Sequence, residues 1–377
     1  MPGIYLHIPF CRRKCYYCDF YSLGSRNAPW ERFADALLDE WNRRRGELPG
    51  LTEADSPARG RVDTLYVGGG TPSQMPTPLL ERLLGALPEA DELTVEVNPE
   101  DVTPELVATL RRAGVNRVSM GVQSFVDSEL EAIGRRHTAD QARRAYALLR
   151  HGFGNVSIDL IFGLPGQTQQ SWQRSVDEAV ALRPEHLSAY SLMWEERSAL
   201  TRMRQMGKVD EADEMDTEAM YNYLTASLKA AGYEHYEISN YALPGYRSRH
   251  NSAYWTGEPY LGLGPGAHSY DGDRVRRSNP ADLLGYLEHF GREEREPFYE
   301  EERLSDSELR EEYIMTRLRR REGIEVADFC NRFGEAEGRE LLWAARGAGD
   351  LLETGADRIK LSPKGVMLSD SAIVRLL

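Results

Sequence analysis

Apolar and polar positions follow a repeating order along the first two thirds of the chain. A short apolar run comes first, then a polar turn, then a stretch with apolar residues every three or four positions. The apolar runs Ile4–Ile8, Thr64–Val67, Leu93–Val97, Arg117–Gly121, Ser157–Phe162 and Leu187–Ser191 read as strands. Helical periodicity follows at Trp30–Arg45, Pro78–Leu87, Pro104–Ala113, Ala139–His151, Ser171–Leu182 and Asp213–Ala231. At Thr103–Pro104 an N-cap candidate precedes a proline at the first helical position. Six strand-then-helix units in series predict an α/β fold with a parallel sheet and right-handed crossovers. Curled, such a sheet is a barrel or an incomplete barrel, with reactive groups at the carboxyl ends of its strands. Left open, it is a doubly wound sheet, and periodicity does not separate the two.

The rhythm breaks near residue 236. Residues 236–285 are rich in Tyr, Gly, Pro and Asn and predict a loop-rich linking region; long ordered loops in compact proteins are often functional. From residue 286 the chain turns charged and helical, and its last stretch, DRIKLSPKGVMLSD, predicts a two-stranded hairpin. The expected division is therefore 1–235, 236–285 and 286–377, the last a small helical, winged-helix-like domain.

Composition narrows the function classes. The chain has 377 residues, 41% hydrophobic and 28% charged, which is ordinary for a globular protein. No apolar run approaches the ~20 residues of a membrane span, although a peripheral membrane contact stays compatible with the sequence. The N-terminal MPGIYLHIPFC lacks a basic segment followed by a long apolar one, so no signal peptide is expected and the cytoplasm is the default compartment. A net charge of -14 disfavours nucleic acid as a partner. The basic runs Arg43 to Arg45 and Arg317 to Arg321 read as solvated helix faces, and the acidic C-terminal unit as a lid or docking module.

Of four cysteines, three fall within eight residues, in CRRKCYYC just after the first strand. Cys330 stands alone and reads as a small buried residue. A C-x3-C-x2-C spacing supplies three soft thiolates, suited to an iron–sulfur cluster or to zinc. A structural zinc site takes four ligands, yet Asp19 and Phe20 follow the triplet. Three ligands on a four-iron cluster leave one iron open to a small molecule. With the triplet at the end of the first strand of a β/α series, the chain resembles the radical S-adenosylmethionine superfamily. On the residues alone, an incomplete zinc site or buried structural thiols remain the alternatives.

The segment YVGGGTP after the second strand is weak by itself, since a tight strand-to-helix turn explains it. Beside the triplet, it and the segments VEVNPE, RVSMGVQSF and SIDLIFGLPGQT resemble the superfamily's cofactor loops. The resemblance implies an incomplete parallel (β/α)6 barrel of TIM type that holds a 4Fe–4S cluster on Cys11, Cys15 and Cys18. It also implies S-adenosylmethionine contacts at Gly69, Gly70, Thr71, Glu96, Gln123, Arg135 and Asp159. Carboxylates suit ribose hydroxyls and an ammonium, and a guanidinium suits a carboxylate. The opening IYLHIPFCRRKCYYCDF is similar to the anaerobic coproporphyrinogen III dehydrogenase-like family over essentially the whole chain. That adds Tyr5, Tyr17, Met193 and His268 as cofactor contacts. His7, ahead of the cluster loop, is expected to orient that loop by hydrogen bonding.

Within that family two features separate the dehydrogenases from a haem-chaperone branch. The dehydrogenases resemble C-x3-C-x2-C-x-C, whereas Phe20 stands at the fourth position here, and they carry an extension ahead of the first strand, whereas Ile4 opens it here. The segment HNSAYW resembles the H-N-x-x-Y-W motif of the chaperone branch. This implies haem binding at His250, Asn251, Tyr254 and Trp255, with the imidazole as iron ligand and the aromatics flat against the porphyrin. The expected function is a haem chaperone, not an enzyme, that passes haem to an acceptor protein. The alternative is a radical oxidoreductase acting on a porphyrinogen, fed by an electron donor such as flavodoxin or ferredoxin.

Overall fold

All six apolar runs form strands in the computed structural model, which describes residues 2–48, 60–290 and 296–377. They are β1 (Gly3–Ile8), β2 (Arg61–Gly69), β3 (Glu89–Val97), β4 (Arg117–Gln123), β5 (Val156–Phe162) and β6 (His186–Ser191). Each lies parallel to the next in chain order. The order never reverses, so the switch point of a doubly wound sheet is absent. Winding in one direction is that of a barrel, and the sheet stays open. Past β6 it continues into Asn240–Ala242 and Glu234–Glu237, and past β1 into Tyr260–Leu263, His268–Tyr270, Val275–Ser278 and Glu300–Arg303, twelve strands in all.

Side-chain alternation sorts the two faces of the sheet. In β1, Ile4, Leu6 and Ile8 are fully buried in the main core, together with Leu65 and Val67 of β2 and Phe33 and Leu37 of the helix Trp30–Arg44. Tyr5 and His7 face the other way, toward the interior of the open barrel. Tyr66, Glu96, Arg117 and Asp159 share that interior. Barrels of this type usually fill the interior with branched apolar side chains; here it is polar.

Residues 236–285 are not the loop-rich stretch that composition predicts. They form short strands of the large sheet, and HNSAYW lies on the helix Arg249–Thr256. Strands of three or four residues are too short to show a two-residue period, and neighbouring strands stabilise them. Ser248 Oγ caps the helix by accepting from the Asn251 N–H, and Gly257 ends it at φ +67°.

The last residues pack around a separate core of Ile314, Leu318, Phe329, Leu341, Ile359 and Ile373. Three helices (Asp306–Arg319, Val326–Phe333 and Glu335–Gly347) and a three-stranded sheet surround it. The hairpin expected within DRIKLSPKGVMLSD does not form; its Arg358–Leu361 pairs instead with Leu352–Thr354, ahead of that stretch. Ser362 caps the Gly365 N–H and Pro363 opens a helical turn, so SPKGVMLSD is helical instead. Nor is the run Arg317 to Arg321 a solvated face. Arg317 donates to the carbonyls of Trp255 and Thr256, and the Arg319 guanidinium lies 4.7 Å from the Trp255 ring centre, so both fasten this unit to the HNSAYW helix.

Candidate cluster and cofactor site

The cysteine loop is anchored by groups that involve no cysteine side chain. His7 Nε2 donates to the Tyr21 carbonyl at 2.9 Å and its Nδ1 accepts from the Tyr5 hydroxyl at 3.1 Å. The Tyr16 N–H donates to Ile133 O and the Leu200 N–H to Tyr16 O. Phe10–Cys11 pairs in parallel with Leu23–Gly24. His7 thus orients the loop, as expected of it.

Cys11, Cys15 and Cys18 are free, half-buried thiols on the wall of a cavity of about 550 Å³ at the carboxyl ends of the strands. Burial raises the Cys11 thiol pKa and pushes that of Cys18 up to about 11. Thr71 Oγ1 donates to Cys11 Sγ at 3.3 Å, and Arg135 Nη1 to Cys15 Sγ at 3.6 Å. Among the described residues, no three His, Cys, Asp or Glu side chains come together closely enough to hold a single metal ion. Three soft thiolates on one wall of an open cavity, with no fourth cysteine or histidine beside them among the described residues, are the donor set of a four-iron cluster with one iron left open.

The same cavity is lined by Tyr17, Gly69, Gly70, Thr71, Glu96, Gln123, Arg135, Asp159 and Met193, so nine of the eleven expected cofactor contacts, all but Tyr5 and His268, converge on it. Glu96 accepts from the Tyr66 hydroxyl at 2.7 Å, and burial pushes its carboxyl up to about 7, with the nearby Asp159 charge acting in the same direction. Burial also raises Asp159, which accepts from Ser119 Oγ at 3.2 Å. Arg135 donates to Asn98 Oδ1 at 2.8 Å and to the Gly121 carbonyl, while its Nε is buried without a partner. An orphaned buried donor beside two buried carboxylates and an apolar wall fits a ligand carrying both carboxylate and cationic groups. Gln123 reaches the cavity from a left-handed backbone, φ +69°, at a register shift between β4 and β5. Such backbone in a residue other than glycine marks stored strain at a site.

The glycines of YVGGGTP serve close packing. Gly69 has φ +103°, and a Cβ there would sit 2.5 Å from His7 Nδ1. Gly69→Ala is expected to cost about 2 kcal/mol through backbone strain and overpacking and to displace the His7 anchor; urea denaturation of the cluster-free protein measures it.

Two expected cofactor contacts lie elsewhere. Tyr5 sits behind Glu96, its ring near Tyr66, and does not line the cavity. His268 is exposed on a strand paired with Ser278. Its Gly-rich approach serves a tight crossing: a Cβ on Gly264 would lie 2.5 Å from His7 O, and one on Gly262 would lie 2.0 Å from His268 O. Conversely, Asn98 and Ser119 line the cavity without having been singled out. Asn98 stands one residue past the carboxyl end of β3, and Ser119 lies within β4.

The expected haem ligand, His250, lies on the helix Arg249–Thr256. His250 is 3% exposed, and its Nδ1 is bonded to Thr64 Oγ1 at 2.7 Å and its Nε2 to the Tyr254 hydroxyl at 3.0 Å. Burial lowers its pKa to about 3, so it is a neutral ring with both nitrogens engaged. His250→Ala should therefore cost about 2–4 kcal/mol in folding stability, read by chemical denaturation. Asn251 sits half-buried on the same helix. Tyr254 and Trp255 line a second, larger cleft of about 1090 Å³ toward the C-terminal helices. The arginines there are mostly ion-paired, Arg274 with Asp306, Arg276 with Glu312 and Arg310 with Glu337, and the cysteines are elsewhere. The three cysteines line the smaller cavity.

Comparison with known proteins agrees with this geometry. The sequence profile of the radical SAM superfamily matches residues 5–179. The chain is 36% identical over 336 residues to "Heme chaperone HemW" of Lactococcus lactis, covering 87% of this chain and 84% of that one. It is 36% identical over 390 residues to "Heme chaperone HemW" of Mycobacterium tuberculosis, covering 100% and 94%. Among solved structures, coproporphyrinogen III oxidase (HemN) from Escherichia coli shares the fold, with a TM-score of 0.82 at 23% identity over 100% of this chain and 90% of that one. With a sequentially wound parallel sheet, three thiols around an open cavity and relatives of this extent, the chain belongs to the HemW family of the radical S-adenosylmethionine superfamily.

Proposed function

We propose that the chain is a haem chaperone, and that a 4Fe–4S cluster and S-adenosylmethionine share the cavity and control release of haem to an acceptor protein. The observation that carries this reading is the near-full-length similarity to proteins named as haem chaperones. In this reading Cys11, Cys15 and Cys18 hold the cluster, and the Thr71 hydroxyl and Arg135 guanidinium stabilise the thiolates. Glu96 and Asp159 take the cofactor's ammonium and hydroxyl groups, Arg135 its carboxylate, and Gln123 and the Gly69–Thr71 loop position it. Tyr17 and Met193 keep water from the cluster's open side. Together, cluster and cofactor supply one-electron reductive chemistry when bound. A further cysteine after the triplet would favour the porphyrinogen oxidoreductase; Phe20 stands there instead, and its exposed ring adds apolar surface to the cavity mouth. No helix among the described residues is long and apolar enough to cross a membrane.

The deciding experiment sets two assays side by side under strict anaerobiosis: haem transfer to an apo-acceptor, and consumption of coproporphyrinogen III. Transfer without consumption is expected. Product from coproporphyrinogen III, with no transfer, would establish the oxidoreductase instead.

A further inference from the structure

Arg135 stands in a connection with no regular structure of its own, between the helices Asp127–Ala132 and Ala139–Gly152. An arginine side chain loses much rotamer freedom when one geometry is required of it, so the backbone beneath it has to be fixed. Exposure alternates along this connection: Arg135 is half-buried, Arg136 exposed and His137 buried, at 3% exposure. Arg135 and His137 each span the same two elements. Arg135 donates to Asn98 Oδ1, just past β3, and to the Gly121 carbonyl of β4. His137 repeats that grip two residues later. Its Nδ1 lies 3.4 Å from Glu100 Oε2, in the turn Pro99–Asp101 after β3, and its Nε2 donates to the Val122 carbonyl of β4 at 3.0 Å.

Neither His137 nor Glu100 lines the cavity, yet the residues they hold do. Val122 immediately precedes Gln123, whose left-handed backbone needs a fixed neighbour to persist. The connection is tied at its start to the cysteine loop, where the Ile133 carbonyl accepts from the Tyr16 N–H at 3.0 Å. At its end Thr138 caps the next helix. Burying an imidazole costs free energy that its polar partners offset, and here those partners belong to the two strand ends that frame the cofactor site. Resting on the assignment of Arg135 to the cofactor's carboxylate, we propose that His137 is a positioning residue for S-adenosylmethionine. By joining the end of β4 to the turn after β3, it holds Arg135 and Gln123 at the spacing that receives that carboxylate. Such pre-organisation acts on binding. It is selective, because Glu96 and Asp159 lie within β3 and β5, where strand pairing fixes them without His137.

The test is anaerobic isothermal titration of the cluster-loaded protein with two ligands, S-adenosylmethionine and its decarboxylated form. The second keeps the ammonium, sulfonium and ribose and lacks only the carboxylate. The variants are His137→Leu, His137→Gln and Glu100→Ala, with iron content measured for each. His137→Leu is expected to weaken S-adenosylmethionine by about tenfold or more and the decarboxylated form by less than about twofold. His137→Gln, whose amide can still donate to the Val122 carbonyl, should recover most of the loss. Glu100→Ala should weaken S-adenosylmethionine alone, severalfold. Unchanged affinity in His137→Leu, or an equal loss for both ligands as a merely structural role would give, overturns the proposal. If His137→Leu fails to fold or to load iron, Glu100→Ala decides by the same two criteria. Equal affinity of the unmodified protein for the two ligands would instead defeat the carboxylate assignment of Arg135 on which the proposal stands.

Discussion

Replacing any one of Cys11, Cys15 or Cys18 with Ala should reduce anaerobically reconstituted protein from about four irons per chain to nearly none, with loss of the cluster's visible absorbance. The fold should survive. The loop is held by His7 on the Tyr21 carbonyl, by Tyr16 on Ile133 and by Leu200 on Tyr16, none of which uses a cysteine side chain. Far-ultraviolet circular dichroism should therefore match the unmodified protein while the iron is gone. Each substitution also removes a thiolate that the cavity is built to hold. Without Cys15, Arg135 loses its sulfur contact and keeps only Asn98 and the Gly121 carbonyl. A stable, colourless protein that retains one zinc per chain would contradict the cluster assignment.

The second large effect concerns Glu96, for which binding and stability should move in opposite directions. Its carboxyl is raised from an ordinary 4.5 to about 7, chiefly by burial. Between those values the folded state holds a proton that the unfolded state has lost, so this group's contribution to stability falls as pH rises through that window. Glu96→Gln removes the penalty, keeps an oxygen for the Tyr66 hydroxyl, and should stabilise the cluster-free protein at pH 8 by about 2–3 kcal/mol. The same change removes the anion that meets the cofactor's ammonium. Cofactor affinity at pH 8 should then fall about ten- to hundredfold. In the unmodified protein, affinity should drop as pH falls below about 7, by up to about tenfold per pH unit, whereas the variant should be flat. Isothermal titration at several pH values, beside urea denaturation, checks both halves. Lower stability with unchanged affinity would assign Glu96 to the scaffold.

The parallel strands and the cysteine triplet were legible because their signals are local: apolar runs in β1 to β6, and three thiols within eight residues. Glu96 and Asp159 could be placed because each lies on a strand of a recognisable series. The packing of the HNSAYW segment was not legible, for a different reason. His, Tyr and Trp serve a haem site or a buried aromatic cluster equally well, and the partner that His250 finds, Thr64, is 186 residues away in sequence. The setting of His268 was hidden similarly, since its glycines reflect a tight strand crossing against His7. Arg135 was placed by resemblance alone; its contacts with Asn98, Gly121 and Cys15 are ones that only the fold brings together.

The central claim, that cluster and cofactor share one cavity with the cofactor at the iron no cysteine holds, is tested most directly by electron paramagnetic resonance. The reduced, reconstituted protein is measured with and without S-adenosylmethionine. The cofactor should shift the cluster's spectrum in the unmodified protein, and at pH 8 Glu96→Gln should need a higher cofactor concentration for the same shift. A spectrum unchanged at saturating cofactor would contradict the claim.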